Sequence, residues 1–319
     1  MNRPPPGDAE RRPHVRSKHP RIMAATETTT SANEKDAAQL AAIRATIDRL
    51  DAEMHARLVE RGTAISSLIR VKGTSRPGAA FRPGREADMM RRLVDRHSGP
   101  LPLWTVEHIW REIITTFTRM QAPFDVAYDA GAPGSGPHND AMRDVARFLF
   151  GFTVALHRQQ GALDTVNHIR ESGTDLGLVA LAQPLEAGAW WRALGRASGP
   201  RIMALAPFIA VAGRPAELPV LVIAPELADP TPPDLILFAV TAIGADAART
   251  IRAAGGTVLA EAGRELLVAL PAAISPADLS ARAGFDDIAE VGALSRGIAI
   301  GDVDADPVLY RRIEEAQAS

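Results

Sequence analysis

The sequence predicts an all-α region of three helices over residues 37–122, followed by an α/β region that runs to residue 319. Two observations carry this. Residues 37–71 contain no proline, and Leu40, Ile43, Ile47, Leu50, Met54, Leu58, Ile65, Leu68 and Ile69 recur at spacings of three, four and seven, the period of one helix face. After Pro123 that period gives way to short apolar runs at residues 124–128, 153–156, 176–182, 202–211 and 220–224, which have the length and composition of strands. Helical stretches at 140–148 and 163–170 fall between several of these runs. Such alternation marks an α/β layer.

Taken in order, residues 1–36 read as a tail. Pro4, Pro5 and Pro6 precede Arg11, Arg12, Pro13, Arg16 and Lys18, and a Thr-rich stretch follows; nothing there can bury a face. It has no apolar core of a secretory signal, and Met23 is an alternative start. The first helix, about 35 residues or about 50 Å long, is more than a small isolated domain holds and wants a partner helix along its length. A Pro- and Gly-containing loop at 73–84 leads to a second helix over 85–97, closed by Ser98-Gly99-Pro100. The third helix starts near Leu103, carries Val106, Ile109, Trp110, Ile113, Ile114, Phe117 and Met120 on one stripe, and stops before Pro123. Beyond the strands of residues 123–233, the Pro-rich 225–233 segment reads as a linker. A βαββ-like unit follows, at 235–241, 245–254, 258–261 and 265–270. The expected domains are therefore 37–122, 123–233 and 234–319.

The chain has 46% hydrophobic and 23% charged residues, enough to fill more than one core. It has no cysteine, which excludes disulfides, thiolate metal sites and cysteine nucleophiles. No apolar run approaches the roughly 18 residues that span a bilayer. The net charge of −2 hides a partition: residues 1–36 carry +2, residues 37–122 carry +5 and residues 123–319 carry −9. The helical region is thus the part whose field suits an anion. Basic residues form no long run and aromatics are 5%, so a nucleic-acid partner is not expected. Of 36 basic residues only Lys18, Lys35 and Lys72 are lysine. From residue 36 onwards Lys72 stands alone.

Charged residues interrupt the first helix where apolar ones would serve packing better. Arg61 and Lys72 are eleven residues apart, so on a straight helix they point within about 20° of each other across about 16 Å of axis. Long side chains can converge from there on one small dianion. Arg44 lies about 25 Å before Arg61 and is turned by about 100°. One small ligand cannot touch both from the same helix, so Arg44 can join the site only from a second copy of the chain. Singly, each residue has an ordinary reading: Arg44 and Arg61 as solvated helix charges, and Gln121 as a helix C-cap. Arg85 and Glu86 can be first-turn charges.

In order, AAIRATIDRLDAEMHARLVERGTAISSLIRVKG, then RPGREADMMRRLV, then VEHIWREIITTFTRMQ, the segment resembles the all-helical chorismate mutases over about 85 residues. Arg44, Arg61, Lys72, Arg85, Glu86 and Gln121 match that family's pattern position for position, with one residue inserted in the loop. The resemblance implies an intertwined helical homodimer that rearranges chorismate to prephenate with no metal or cofactor. It implies that Arg61, and Arg44 donated by the partner subunit, hold the carboxylates. Lys72 and Gln121 would donate to the ether oxygen, Glu86 would bind the ring hydroxyl, and Arg85 would support the network. Two positions depart from the pattern. Arg82 stands where some members carry an Asp near the hydroxyl, and Phe117 where some carry a small Ser.

PFDVAYDAGAPGSG and DTVNHIRESGTDLGLVAL resemble the first strand and Gly-rich turn, and a later helix and strand, of the dehydratase part of bifunctional chorismate mutase–prephenate dehydratases. The tail from Leu235 resembles an ACT-type unit. The Thr-Arg-Phe signature is missing, since Arg147-Phe148 follows Ala146, and the segment is short for two lobes. The expectation is a degenerate dehydratase-like part with a structural or ligand-sensing role, in a cytoplasmic enzyme. The alternatives are a bifunctional enzyme and a non-catalytic aromatic amino acid sensor. The glycines of 131–136 lack the Lys-Ser/Thr ending of a phosphate loop and read as a plain turn. His138, His157 and His168 have no metal-site spacing, and Trp190-Trp191 reads as core or interface rather than a ligand platform.

Overall fold

A computed structural model describes residues 26–72, 81–181, 188–195, 199–226, 231–244, 246–281 and 284–314. The first element is α1 (Thr26–Lys72), 47 residues long. It begins inside the stretch read as a tail to residue 36. After Pro20 no proline occurs before Pro77, and Glu34 and Asp36 place negative charge in the N-terminal part of the helix, the positive end of its dipole. The chain divides into two units, Met1–Ala64 and Ile65–Ser319. In the first, α1 is held on its surface by the ion pairs Arg49–Glu53 at 2.6 Å and Arg57–Glu60 at 2.7 Å, at spacings that add a few tenths of a kcal/mol each. Leu40, Ile43, Ile47, Leu50, Met54 and Leu58 stand between 40% and 60% exposed. The first five of these are spaced alternately by three and four, a coiled-coil seam.

After the last two turns of α1, the second unit has α2 (Pro83–Arg96) and α3 (Leu103–Gln121), then runs β1 (Val126–Asp129), α4 (Gly136–Phe150), β2 (Leu156–Gln159), α5 (Ala162–Ser172) and β3 (Leu176–Ala180). After a 3₁₀ turn at Trp190–Ala193 come β4 (Arg201–Ala206), β5 (Ile209–Ala210) and β6 (Val220–Ala224). The remainder is β7 (Leu235–Ala242), α6 (Ala247–Ala253), β8 (Thr257–Ala262), β9 (Glu265–Pro271), α7 (Pro276–Ala281), β10 (Phe285–Leu294), β11 (Gly297–Ile300) and β12 (Tyr310–Ile313). One nine-stranded sheet has the order β2-β1-β3-β6-β4-β10-β7-β9-β8, and a three-stranded parallel sheet has the order β12-β11-β5. The apolar run at 202–211 is therefore two strands in two sheets: Pro207 separates β4 from β5 and has no N–H to give a ladder. The run expected at 153–156 forms its strand three residues later, as β2.

Among the described residues, strands of 123–233 and of 234–314 lie in one sheet. The βαββ unit is completed by α7 and β10 into a βαββαβ arrangement with the local strand order β10-β7-β9-β8, a split-βαβ topology. Its outer strand β10 pairs in parallel with β4 through Gly292 and Ile202, so the sheet is continuous across the expected linker. A Cβ at Gly292 would lie 2.2 Å from the Ile202 carbonyl oxygen; only glycine admits that approach. Trp190 and Trp191 are buried, as expected, in a core that draws on both halves. His157 and His168 stack at 5.3 Å and pair with Asp125 and Asp175 at 3.1 Å and 3.0 Å. Among the described residues no group of three or more His, Asp or Glu is arranged to hold a metal.

The α3 helix does not bury its apolar stripe. Its buried residues are Glu107, Ile114, Thr115 and Thr118, while Ile109 and Met120 are exposed and Trp110, Ile113 and Phe117 half-buried. The reason lies at the end of α4, whose last carbonyls have no partner within their own helix. The His108 Nδ1 lies 3.2 Å from the Phe148 carbonyl and the Thr115 hydroxyl donates to Leu149 at 3.4 Å. The α2 helix packs Ala87, Met90 and Leu93 with Ile114 against Phe208, Ile209, Ile298 and Ile300. Gly151, at φ 68°, ends α4 where an added Cβ would meet the Glu112 carboxylate at 1.7 Å. Gly151→Ala is expected to cost about 1–3 kcal/mol, from a positive-φ backbone closed to residues with a Cβ, since the Glu112 carboxylate can swing aside, read as a lowered urea midpoint at unchanged slope.

Candidate functional site

The expected site residues divide between the two units. Arg44 is exposed on α1 and Arg61 half-buried on it, both before Ala64. Lys72 is the last residue of α1 and belongs to the second unit, with Arg82, Arg85, Glu86 and Gln121. The residue before Pro83 is Arg82, whose extended backbone (φ −138°, ψ 78°) caps α2 because a pre-proline residue disfavours the helical region. Its carbonyl accepts the Glu86 N–H at 3.0 Å. Arg85 is exposed. Gln121 ends α3 with its Nε2 donating to the Phe117 carbonyl at 3.0 Å, the ordinary capping geometry; the second hydrogen on that nitrogen is left for another acceptor.

Glu86 is the residue around which the second unit builds most. Its carboxylate lies 3.2 Å from Arg111 Nη1, and their side chains are only 16% and 12% exposed. Arg111 Nε is in turn 3.7 Å from Glu107 Oε1. Glu107, fully buried, pairs with Arg214 from the segment after β5. The Arg214 guanidinium sits 4.2 Å over the Phe148 ring. Burial pulls the Arg214 pKa down from its usual value, and the Glu107 carboxylate opposes that pull. Two cations and two anions alternate, so the buried network is self-compensating. Glu107, Arg111 and Arg214 were not among the expected site residues. The first two had a signal: charges four apart, interrupting the apolar stripe of α3. Arg214 had none.

Glu86 and Arg111 open on a cavity of about 40 Å³ between α2, α3 and the sheet, lined also by Phe81, Thr115, Thr118 and Phe208. That is room for two or three waters and too little for a ring dicarboxylate. A wider groove of about 820 Å³ is lined by Arg214 and Tyr310 but also by Asp144, Glu217, Asp304 and Asp306. Burial raises the Tyr310 phenol pKa, and its hydroxyl donates to the Pro207 carbonyl at 2.8 Å. Four carboxylates against one already paired arginine give that groove the wrong sign for a dianion. In the Gly131–Gly136 turn, the Asp129 carboxylate accepts the Gly131 N–H at 2.9 Å, which occupies a donor that a phosphate would need.

Residues 43–122, within the helical region, match the family described as chorismate mutase type II. The bifunctional chorismate mutase/prephenate dehydratase of Neisseria gonorrhoeae is 36% identical over 85 residues, 27% of this chain and 23% of that protein. The protein of the same description from Stutzerimonas stutzeri is 28% identical over 156 residues, 47% of this chain and 41% of that protein. The chain thus spans less than half the length of these curated relatives. A solved prephenate dehydratase from Streptococcus mutans aligns over 54% of this chain and 100% of its own at 13% identity, with a TM-score of 0.33.

Proposed function

We propose that this chain is a chorismate mutase, an isomerase that rearranges chorismate to prephenate in cytoplasmic aromatic amino acid biosynthesis. The observation that carries the proposal is the ordered set Arg44, Arg61, Lys72, Arg85, Glu86 and Gln121 inside a segment that matches the mutase family. A Claisen rearrangement needs no nucleophile; it is accelerated by holding the substrate in a reactive conformation and by donors at the oxygen where charge develops. Arg61 and the partner subunit's Arg44 hold the two carboxylates through bidentate contacts. Lys72 and the Gln121 amide face the breaking C–O bond. Glu86 takes the ring hydroxyl, with Arg85 and Arg82 adding positive field nearby. No metal or cofactor has a role in this scheme.

The dimer follows from the same reading. The seam from Leu40 to Leu58 exposes large apolar side chains, and the symmetric way to bury a self-complementary stripe is against a second copy of itself. Ile47→Asp is expected to dissociate the dimer, read by light scattering as a halved mass, with turnover lost in parallel.

Purified protein with chorismate, followed for its disappearance and for prephenate, tests the activity; absence of turnover overturns it. A second reading is bifunctional. It is favoured by relatives described as bifunctional chorismate mutase/prephenate dehydratases and by a match that extends, over 156 residues, past the helical region. Phenylpyruvate formed without added acid in the same assay would establish it.

A further inference from the structure

The second unit holds a cavity of about 400 Å³ between the end of α2 and the three-stranded sheet. It shares no residue with the set proposed to hold chorismate. Strands β11 and β12 are parallel, with Ile298 beside Arg311 and Ile300 beside Ile313, so these four side chains share one face of the sheet. Three of them are isoleucines packed in one cluster with Ala87, Met90 and Leu93 of α2; Arg311 breaks the row. On the α2 side of the cavity, Asp95 stands in the last turn of the helix, at the negative end of its dipole, where a cation would serve better. Among the described residues neither the Arg311 guanidinium nor the Asp95 carboxylate has an ion pair or hydrogen bond to offset its placement. The other charges lining the cavity are engaged. Arg91 pairs with Asp88 at 2.9 Å and Asp234 at 2.7 Å. The Arg296 N–H donates to Asp234 at 2.8 Å, and its guanidinium donates to the Pro307 and Tyr310 carbonyls.

We propose that this pocket binds a small zwitterion, an α-amino acid with an apolar side chain. Arg311 takes the carboxylate on its planar fork, Asp95 accepts from the ammonium, and the side chain lies along Ile298 and Ile313. A simple anion would meet Arg311 with the Asp95 charge against it, and a simple amine the reverse; a ligand carrying both charges satisfies both. The volume suits a small molecule of this kind. Arg91 also donates to the Arg296 carbonyl at 3.2 Å and so ties α2 to the start of β11. Both sides of the pocket are therefore in place before a ligand arrives, which lowers the cost of binding. A role in stability alone predicts the opposite sequence, an apolar residue at 311 and a cation at 95.

The test titrates full-length protein by calorimetry with L-valine, L-leucine, L-isoleucine, L-methionine and L-phenylalanine. Each is set against the matching acid that lacks the ammonium and the matching amine that lacks the carboxylate. At least one of these amino acids is expected to bind at one site per chain. Both of its truncated forms should bind at least about tenfold more weakly, because each forfeits a contact between charged groups. Arg311→Leu and Asp95→Lys should each weaken binding by at least about tenfold. Without ligand their unfolding midpoints should equal or exceed that of the wild type, since each replaces a residue that the fold does not favour. Asp95→Asn repeats the loss of binding with the smallest change of shape. No binding by any of these amino acids overturns the proposal. So does an acid or an amine that binds as tightly as its amino acid, or unchanged affinity in the folded variants. Chorismate turnover does not enter the measurement, so the mutase reading stands or falls separately.

Discussion

Lys72→Ala is expected to lower kcat by about a hundred- to a thousandfold, the usual cost of removing one donor from an oxygen that gains charge in the transition state. The substrate affinity should change far less, because the carboxylates are held elsewhere. Lys72 is the last residue of α1, where substitution by alanine costs the helix nothing in propensity, so the far-ultraviolet spectrum and the unfolding midpoint should match the wild type. Lys72→Arg sharpens the point. Almost every other cation in the chain is arginine, and a lysine retained here implies a need for a compact point charge rather than a planar fork. Lys72→Arg is expected to remain at least about tenfold below wild type. Steady-state rates of chorismate loss decide both, and near-normal turnover in Lys72→Ala removes the assigned role.

The helical domain was legible because its signals are periodic and local. Six charged or polar positions at set spacings survive any uncertainty about where helices end, and α1, α2 and α3 each have an apolar repeat long enough to read. The failures have physical causes. The β10 strand hides its alternation behind register shifts between Asp286 and Ala289 and between Glu290 and Gly292. The β11 and β12 strands have four residues each, too few to show a period. The union of the two C-terminal regions into one sheet depends on Gly292 meeting Ile202, a contact between distant residues that no local pattern announces. On α3 the apolar stripe is plain in the sequence, but the face buried against the rest of its unit carries Glu107, Thr115 and Thr118 beside Ile114. Glu107 and the threonines take that position because they meet the carbonyl end of α4 and the Arg214 guanidinium. For the same reason the network behind Glu86 could be half seen, in Glu107 and Arg111, and not completed.

Subunit mixing tests the proposed sharing of one site between two chains. Arg44→Ala and Arg61→Ala should each abolish turnover as homodimers, since a dicarboxylate held at one end loses both affinity and the reactive conformation. In a mixed dimer the Arg44→Ala chain contributes its Arg61, and the Arg61→Ala chain contributes its Arg44, to the same site. That site is intact, and the other lacks both arginines. Random reassociation makes half the dimers mixed, so an equimolar mixture of the two inactive proteins should recover about a quarter of wild-type activity, as two-fold symmetry requires. Recovery should appear at the rate of subunit exchange and should be absent from a mixture of either variant with itself. If Arg44 and Arg61 instead serve one site from one chain, every mixed dimer carries one defect per site and no activity returns. The measurement is a time course of chorismate loss after mixing, with the dimer content checked by native mass spectrometry. A mixture that stays inactive although mixed dimers are present excludes the shared site, whatever the single variants do.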